Sequence, residues 1–304
     1  MKKYMKNRLL ALFIGLVLLS GCESRKDTIH IATKPMSEQF ILGEMLALLI
    51  EENSDLHVKI TKGVGGGTSN IHPAMVKGDF DLYPEYTGTG WLVILKKDSL
   101  LPPGQLFSEL QKEYSREYGL KWVAPYGFNN AYSLAVSNEM AKKYNLKTFS
   151  DLALYPDLFT FGAEYDFYEI NDGYADLCAY YNLKFKKNLD MDIGLKYEAM
   201  KSGKIDVINI FTTDGQLSKA HLTVLEDDKH FFPSYYCATV VREETLAAHP
   251  ELEAILAKMQ GILTDSEMAN LNHEVDVKHR LEREVAAEFL QKKGLLKQEY
   301  DHGK

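Results

Sequence analysis

Residues 74–90 read AMVKGDFDLYPEYTGTG, and residues 199–215, 125 positions further on, read AMKSGKIDVINIFTTDG. The second stretch lies on the first without a gap. Ala, Met, Gly, Asp, Thr and Gly coincide, and the pairs Leu82/Val207 and Tyr86/Phe211 are alike. Each copy reads as the end of a helix, a glycine stop, a short apolar strand, and then an aromatic residue followed by a polar turn. A polar turn just beyond the carboxyl end of a parallel strand is where open α/β sheets take their ligands. The repeat therefore predicts two α/β lobes, with Tyr86 and Phe211 facing a shared cleft from opposite sides.

Upstream of the first copy, Ile29 and Ile31 alternate with polar residues as a strand does. Ser37 stands where a helix cap belongs, and Phe40, Ile41, Met45, Leu46, Leu48 and Leu49 follow at helical spacing. Leu56, Val58 and Ile60 alternate again, which predicts a parallel strand-helix-strand unit. The Gly-rich run Gly63 to Gly67 then feeds a helix opened by Thr68, Ser69 and Asn70. Such a turn exposes backbone N–H groups at a positive helix end and suits an anionic group. It has neither a Walker lysine nor GxGxxG spacing, so it reads as a tight turn, not a nucleotide site.

Downstream, Trp122 to Val136 and Phe231 to Val241 are aromatic, extended and marked by proline, as strands crossing between lobes are. Between them Leu158 to Phe161, a helix after Ala163, an Asp172-capped helix with Leu177 and Tyr180, and Ile205 to Ile210 make a second lobe. After Val241 apolar residues recur at helical spacing through Leu263, and the charged tail from Val275 is expected to cover the first lobe. The expected architecture is α/β and two-lobed, with residues 28–128 and 238–304 in lobe I, 129–237 in lobe II, and two hinge strands.

The chain of 304 residues is 45% hydrophobic and 26% charged, which excludes a disordered, collagenous or coiled-coil protein. Its first 21 residues are read apart from the fold: Lys2, Lys3, Lys6 and Arg8 precede an apolar run from Leu9 to Leu19, the order of an export signal. That run rises only about 16 Å as a helix, too short for a hydrocarbon core of about 30 Å. No later stretch is expected to span either. Leu19-Ser20-Gly21-Cys22 is similar to a bacterial lipoprotein processing site, which implies cleavage before Cys22 and acylation there; plain secretion is the alternative. Removing residues 1–21 takes four cations and no acids from a net charge of -8, leaving -12. Glu23 to Asp27 is then a short solvated tether, and the acidic body is no partner for nucleic acid.

Catalysis finds little footing. His221, His230, His249, His273 and His279 share no HExxH or paired ligand spacing, so no metal and no cofactor is expected. There is no GxSxG. The acidic run Glu164, Asp166, Glu169 and Asp172 is better read as a solvated helix face than as a cation site. Cys178 and Cys237 are read as small buried residues in preference to a disulfide. What stands out is 18 Tyr, 14 Phe and 2 Trp, with Tyr86, Tyr132, Phe211 and Tyr235 all beside turns or hinges. Aromatic faces that converge attract a weakly hydrated cation, each contributing on the order of 0.5 to 2 kcal/mol.

Several stretches carry a resemblance: Ser37-Glu38-Gln39, Asp81 to Thr89, Gly127 to Tyr132, Asp172-Gly173-Tyr174, Thr213-Asp214-Gly215 and Leu225 to Pro233. Together, over Ile29 to Glu251, they resemble the substrate-binding proteins of glycine betaine/carnitine/choline ABC transporters. The resemblance implies a two-lobed type II periplasmic-binding fold that closes on its ligand, and a cage of four tyrosines around a trimethylammonium group. Tyr86, Tyr132 and Tyr235 fit cage positions, with Tyr236 competing for the place of Tyr235; the fourth falls on Phe211, which keeps the π face and loses a hydroxyl. Gln39 and Thr89 match positions that hydrogen-bond the ligand's other end. A permease and an ATPase are implied as partners, and the chain itself is expected at the cell membrane, lipid-anchored at the extracytoplasmic face. Phe211, with Glu164 to Tyr168, also looks like a branch that binds ergothioneine. Simple betaines are the first expectation. A lipid-tethered sensory module, and an enzyme on the same scaffold, are the readings of other classes.

Overall fold

A computed structural model describes residues 28–297 except 98–100, 165–166, 169–172, 192, 218–219 and 233. The signal segment, Cys22, the tether, Asp166, Glu169 and Asp172 lie outside the described residues.

Ile29 and Ile31 lie in strand β1 (Thr28–Ala32), and Val58 and Ile60 in β2 (His57–Thr61), which pairs with β1 in parallel through every position. Between them runs helix α1 (Ser37–Asn53), buried along most of its length. Ser37 does not cap it: Met36 holds the cap position, without a side-chain hydrogen bond. Helix α2 (Thr68–Lys77) likewise starts from Gly67, whose φ of 52° turns the chain. The polar residues after it serve other ends. Asn70 donates back to the Gly65 carbonyl at 2.6 Å, and the Thr68 hydroxyl to Glu85 at 2.7 Å.

The two copies of the repeat superpose in structural role. Strand β3 (Leu82–Tyr86) follows α2. After helix α3 (Pro103–Tyr118), strand β4 (Leu120–Val123), β5 (Tyr132–Ser137), β6 (Thr160–Ala163), helix α4 (Tyr174–Tyr181) and β7 (Lys187–Asp190), the second copy supplies helix α5 (Ile193–Lys201) and strand β8 (Val207–Phe211). Gly78 and Gly203 end their helices at φ 84° and 70°, a conformation open to glycine at little cost, and donate to Met75 and Met200 carbonyls at 3.1 and 3.0 Å. Asp81 then accepts the His30 N–H and Asp206 the Thr160 N–H, each at 2.8 Å, fixing each copy's strand against its parallel neighbour.

With β9 (Leu222–Val224) and β10 (Cys237–Arg242), the sheets run β2-β1-β3-β10-β4 and β7-β6-β8-β5-β9. The orders correspond place for place, and in each the repeat strand has an antiparallel neighbour, β10 or β5. β10 opens at Cys237, which the sequence reading left in lobe II; its backbone pairs with Tyr86 of β3. Two crossing segments, after β4 and before β10, meet at a bridge between Asn129 and Tyr236. In α4, Leu177 and Tyr181 are buried and Tyr180 is exposed, so the apolar face is one residue off that expected. The C-terminal helices α6 (Asp265–Asp276) and α7 (Glu282–Lys292) divide their work. α7 packs on α1, where Arg283 reaches Glu44 at 3.0 Å and Glu51 at 2.6 Å. α6 reaches the second sheet: Asn272 donates to the Thr213 carbonyl at 2.8 Å, and His273 Nδ1 lies 3.0 Å from the Gly215 carbonyl.

Candidate functional site

Tyr86 ends β3, and its position is set from three sides. Its N–H donates to Glu85 Oε1 at 2.7 Å, its hydroxyl donates to Glu38 Oε1 at 2.5 Å, and Lys34 Nζ lies 4.6 Å from its ring centroid. Lys34 also forms an ion pair with the fully buried Glu85. The turn beyond Tyr86 is tied to the second crossing segment: Thr87 N–H donates to the Tyr236 carbonyl at 2.9 Å and its hydroxyl to the Ser234 carbonyl at 3.1 Å. Gly88 is needed there, because a Cβ would come within 2.6 Å of the Tyr235 ring. Tyr235 is itself held by its N–H on Asn129 Oδ1 at 2.6 Å.

From the other sheet, Tyr132 of β5 and Phe211 of β8 are paired across the strands, their ring centroids 4.5 Å apart and 30° from parallel. Tyr132 leans in turn on Phe167 and Phe232, at 5.2 and 5.8 Å. Lys34, Met36, Tyr86, Thr89, Asn130, Tyr132, Phe211 and Tyr235 together line one cavity of about 240 Å³. Five of the six residues singled out from the sequence thus meet. Gln39 does not line it: it is fully buried beside the Tyr86 hydroxyl, behind the cavity wall. Tyr235, not Tyr236, faces in.

Sequence reasoning passed over Lys34, Met36 and Asn130, and the role of Glu38. A signal existed for Lys34, which follows β1 by two positions and so stands beyond the carboxyl end of a parallel strand, as Tyr86 does. Asn130 sits in the first crossing segment, where its amide donates to Glu38 Oε1 at 3.0 Å. Burial pushes the Glu38 carboxyl above its usual range, against the donors Tyr86, Thr213, Asn130 and Asn272. Burial first, and then the Glu38 charge, raise the Tyr86 phenol well above its own. The ring stays neutral, its hydroxyl a donor.

The lining offers four aromatic faces, the Lys34 ammonium, the Thr89 hydroxyl and the Asn130 amide. It can hold a cation against π faces and an anionic group against Lys34. Of the acidic run, Glu164 does not line it: it accepts from Lys196 at 3.1 Å and from Asn209 at 2.8 Å. Among the described residues no group of three His, Cys, Asp or Glu is placed to hold a metal ion. Cys178 and Cys237 carry free thiols, on α4 and β10. Burial pushes Cys178 up to about 11 and Cys237 well above its ordinary value, so both favour the unreactive protonated form.

Residues 27–292 match the family described as the substrate binding domain of ABC-type glycine betaine transport system. The chain is 44% identical over 292 residues to an ergothioneine transport permease/ergothioneine binding protein of Helicobacter pylori, covering 94% of this chain and 52% of that one. It thus spans about half the length of that relative. It is 36% identical over 301 residues to a carnitine transport binding protein of Listeria monocytogenes, covering 95% of this chain and 97% of that one. A solved structure of a glycine betaine/carnitine/choline ABC transporter superposes with a TM-score of 0.84 at 33% identity, over 88% of this chain and 99% of that one. That likeness carries the two-lobed α/β binding-protein architecture, and the family is one of transport binding proteins, not of enzymes. By the extent of that match, the chain belongs to the family of substrate-binding domains of ABC-type glycine betaine transport systems.

Proposed function

We propose that the chain captures a trimethylammonium betaine outside the cytoplasm and presents it to an ABC permease driven by its ATPase. The observation that carries this is the convergence of Tyr86, Tyr132, Phe211 and Tyr235, from both sheets and the second crossing segment, on one cavity whose charged lining residue is Lys34. Four π faces at about 0.5 to 2 kcal/mol each suffice to hold a quaternary ammonium that water solvates weakly. Lys34 and Thr89 then favour a ligand that also bears a carboxylate. Choline, with no anion to offer Lys34, fits this lining less well than a betaine. Within the betaines, the 44% identity to the Helicobacter chain favours ergothioneine, and glycine betaine or carnitine stands as the alternative. The lobes meet at the crossing segments, so we place their boundaries at residues 128/129 and 236/237, with Cys237 in the first sheet. The mature chain is anchored to the membrane by lipid on Cys22, at the extracytoplasmic face.

Calorimetric titration of the ligand-free protein with ergothioneine, glycine betaine, carnitine and choline tests the reading. At least one betaine should bind more tightly than choline, and Lys34→Gln should narrow that gap by about tenfold, the worth of one charge-assisted contact. Tightest binding by choline, or no binding of any of the four, would sink it.

A further inference from the structure

Glu38 lies outside the cavity lining, yet it is the point at which the cage is tied to the rest of the protein. It stands in the first turn of α1, almost fully buried. Its Oε1 accepts from the Tyr86 hydroxyl at 2.5 Å and from Asn130 Nδ2 at 3.0 Å; its Oε2 accepts from Asn272 Nδ2 at 3.2 Å. These three of its four donors belong to three bodies, β3 of the first sheet, the first crossing segment and α6, and the fourth, Thr213, follows β8 of the second sheet. Asn272 donates onward to the Thr213 carbonyl, two residues past Phe211, so the same chain of bonds reaches the opposite wall of the cage.

We propose that Glu38 is a positioning residue for ligand capture, holding the Tyr86 ring in the cage through its hydroxyl and making that hold depend on how α6 and the first crossing segment are docked. The proposal rests on the cation-cage reading of the cavity. A tyrosine has two soft side-chain torsions; anchored at the far end of its ring, it presents one face with little freedom left to lose when a cation arrives. A carboxylate can accept from several donors at once, which suits it to this junction. Because the bonds to Asn130 and Asn272 share that carboxylate, movement of either segment alters the acceptor on which Tyr86 is anchored. The site is thereby pre-formed when the lobes are in register and loosened when they are not.

The test is a double-mutant cycle. Glycine betaine and ergothioneine are titrated into the wild-type chain, Glu38→Gln, Tyr86→Phe and the double variant. Glu38→Gln and Tyr86→Phe should each weaken binding by about tenfold, and the double variant should be no weaker than the weaker single, because both break one device. Asn272→Ala, which touches no part of the cavity, should weaken binding about threefold at unchanged lining, and it decides the matter if Glu38→Gln does not fold. Additive losses in the cycle, Tyr86→Phe binding as tightly as wild type, or no effect of Asn272→Ala would overturn the proposal. Should the wild-type chain bind neither ligand, the betaine reading fails, and the same cycle measured in unfolding free energy by urea judges the anchor: coupled effects uphold it, additive ones overturn it.

Discussion

Phe211 ends β8 as Tyr86 ends β3, and its ring stacks on Tyr132. A cation above that ring senses chiefly the quadrupole, which a phenol and a benzene share. Phe211→Tyr is therefore expected to change affinity for a trimethylammonium ligand little, whereas Phe211→Ala should cost about 1 to 3 kcal/mol. Phe211→Leu keeps much of the apolar volume and loses the π face. If it binds as tightly as wild type at an unchanged melting temperature, Phe211 is only packing. Glu38 offers a second measurement. Burial raises its carboxyl in the folded chain, so the native state holds that proton more firmly than the unfolded one. Its contribution to stability is complete below the ordinary carboxylate range and is lost as pH rises through the folded value. Nearby Tyr86 and Cys237 are raised as well and stay neutral through that window. As pH rises above the ordinary carboxylate range of about 4, the melting temperature of Glu38→Gln should gain on that of wild type, since glutamine carries no charge to bury. A gap that does not change with pH would contradict this.

The repeat is a device of strands and their entries. Asp81 and Asp206 each lock the start of the copied strand to a parallel neighbour, at the end of the sheet away from the cavity. Asp206→Ala leaves the Thr160 N–H without its acceptor and should cost about 1 to 3 kcal/mol of stability. Ligand affinity at saturating folded fraction should stay within twofold of wild type, about the limit of such a comparison. The turn after β3 behaves in the opposite sense. In Gly88→Ala the new methyl would meet the Tyr235 ring, which must move out of the cage. Overpacking of this kind costs about 1 to 3 kcal/mol, and here it should appear as weakened binding. Titration and melting of the two variants side by side check both; a reversed pattern would mean that the strand start and the turn have been assigned each other's roles.

Two sheets of matching order, joined by segments that cross at Asn129 and Tyr236, can pivot without either sheet changing. Ligand held from both sides draws the lobes together, so small-angle scattering should show a smaller radius of gyration on adding a bound betaine. No change at saturation would contradict closure. The anchor is tested separately: Cys22→Ala should release the protein from the membrane fraction or block its processing. A substituted protein that stays membrane-bound and is processed normally would exclude lipidation at Cys22.

Local chemistry was enough to read the repeat, because a helix stopped by Gly78 or Gly203 and a strand opened by Asp81 or Asp206 are matters of neighbouring residues and their backbone torsions. From that pattern alone came two α/β lobes and the aromatic ends Tyr86 and Phe211. The cap expected at Ser37 falls instead on Met36, and Thr68, which opens the next helix, gives its hydroxyl to Glu85, 17 positions away. Choosing between Tyr235 and Tyr236 required the register of the crossing segments, since adjacent residues in an extended chain point to opposite sides and nothing local says which side is the cleft. Lys34 meets Glu85 across 51 positions, and Glu38 meets Asn272 across 234. Contacts of that separation leave no period and no spacing in the chain; the pairing of β1 with β3 makes the first, and the docking of α6 beside α1 makes the second.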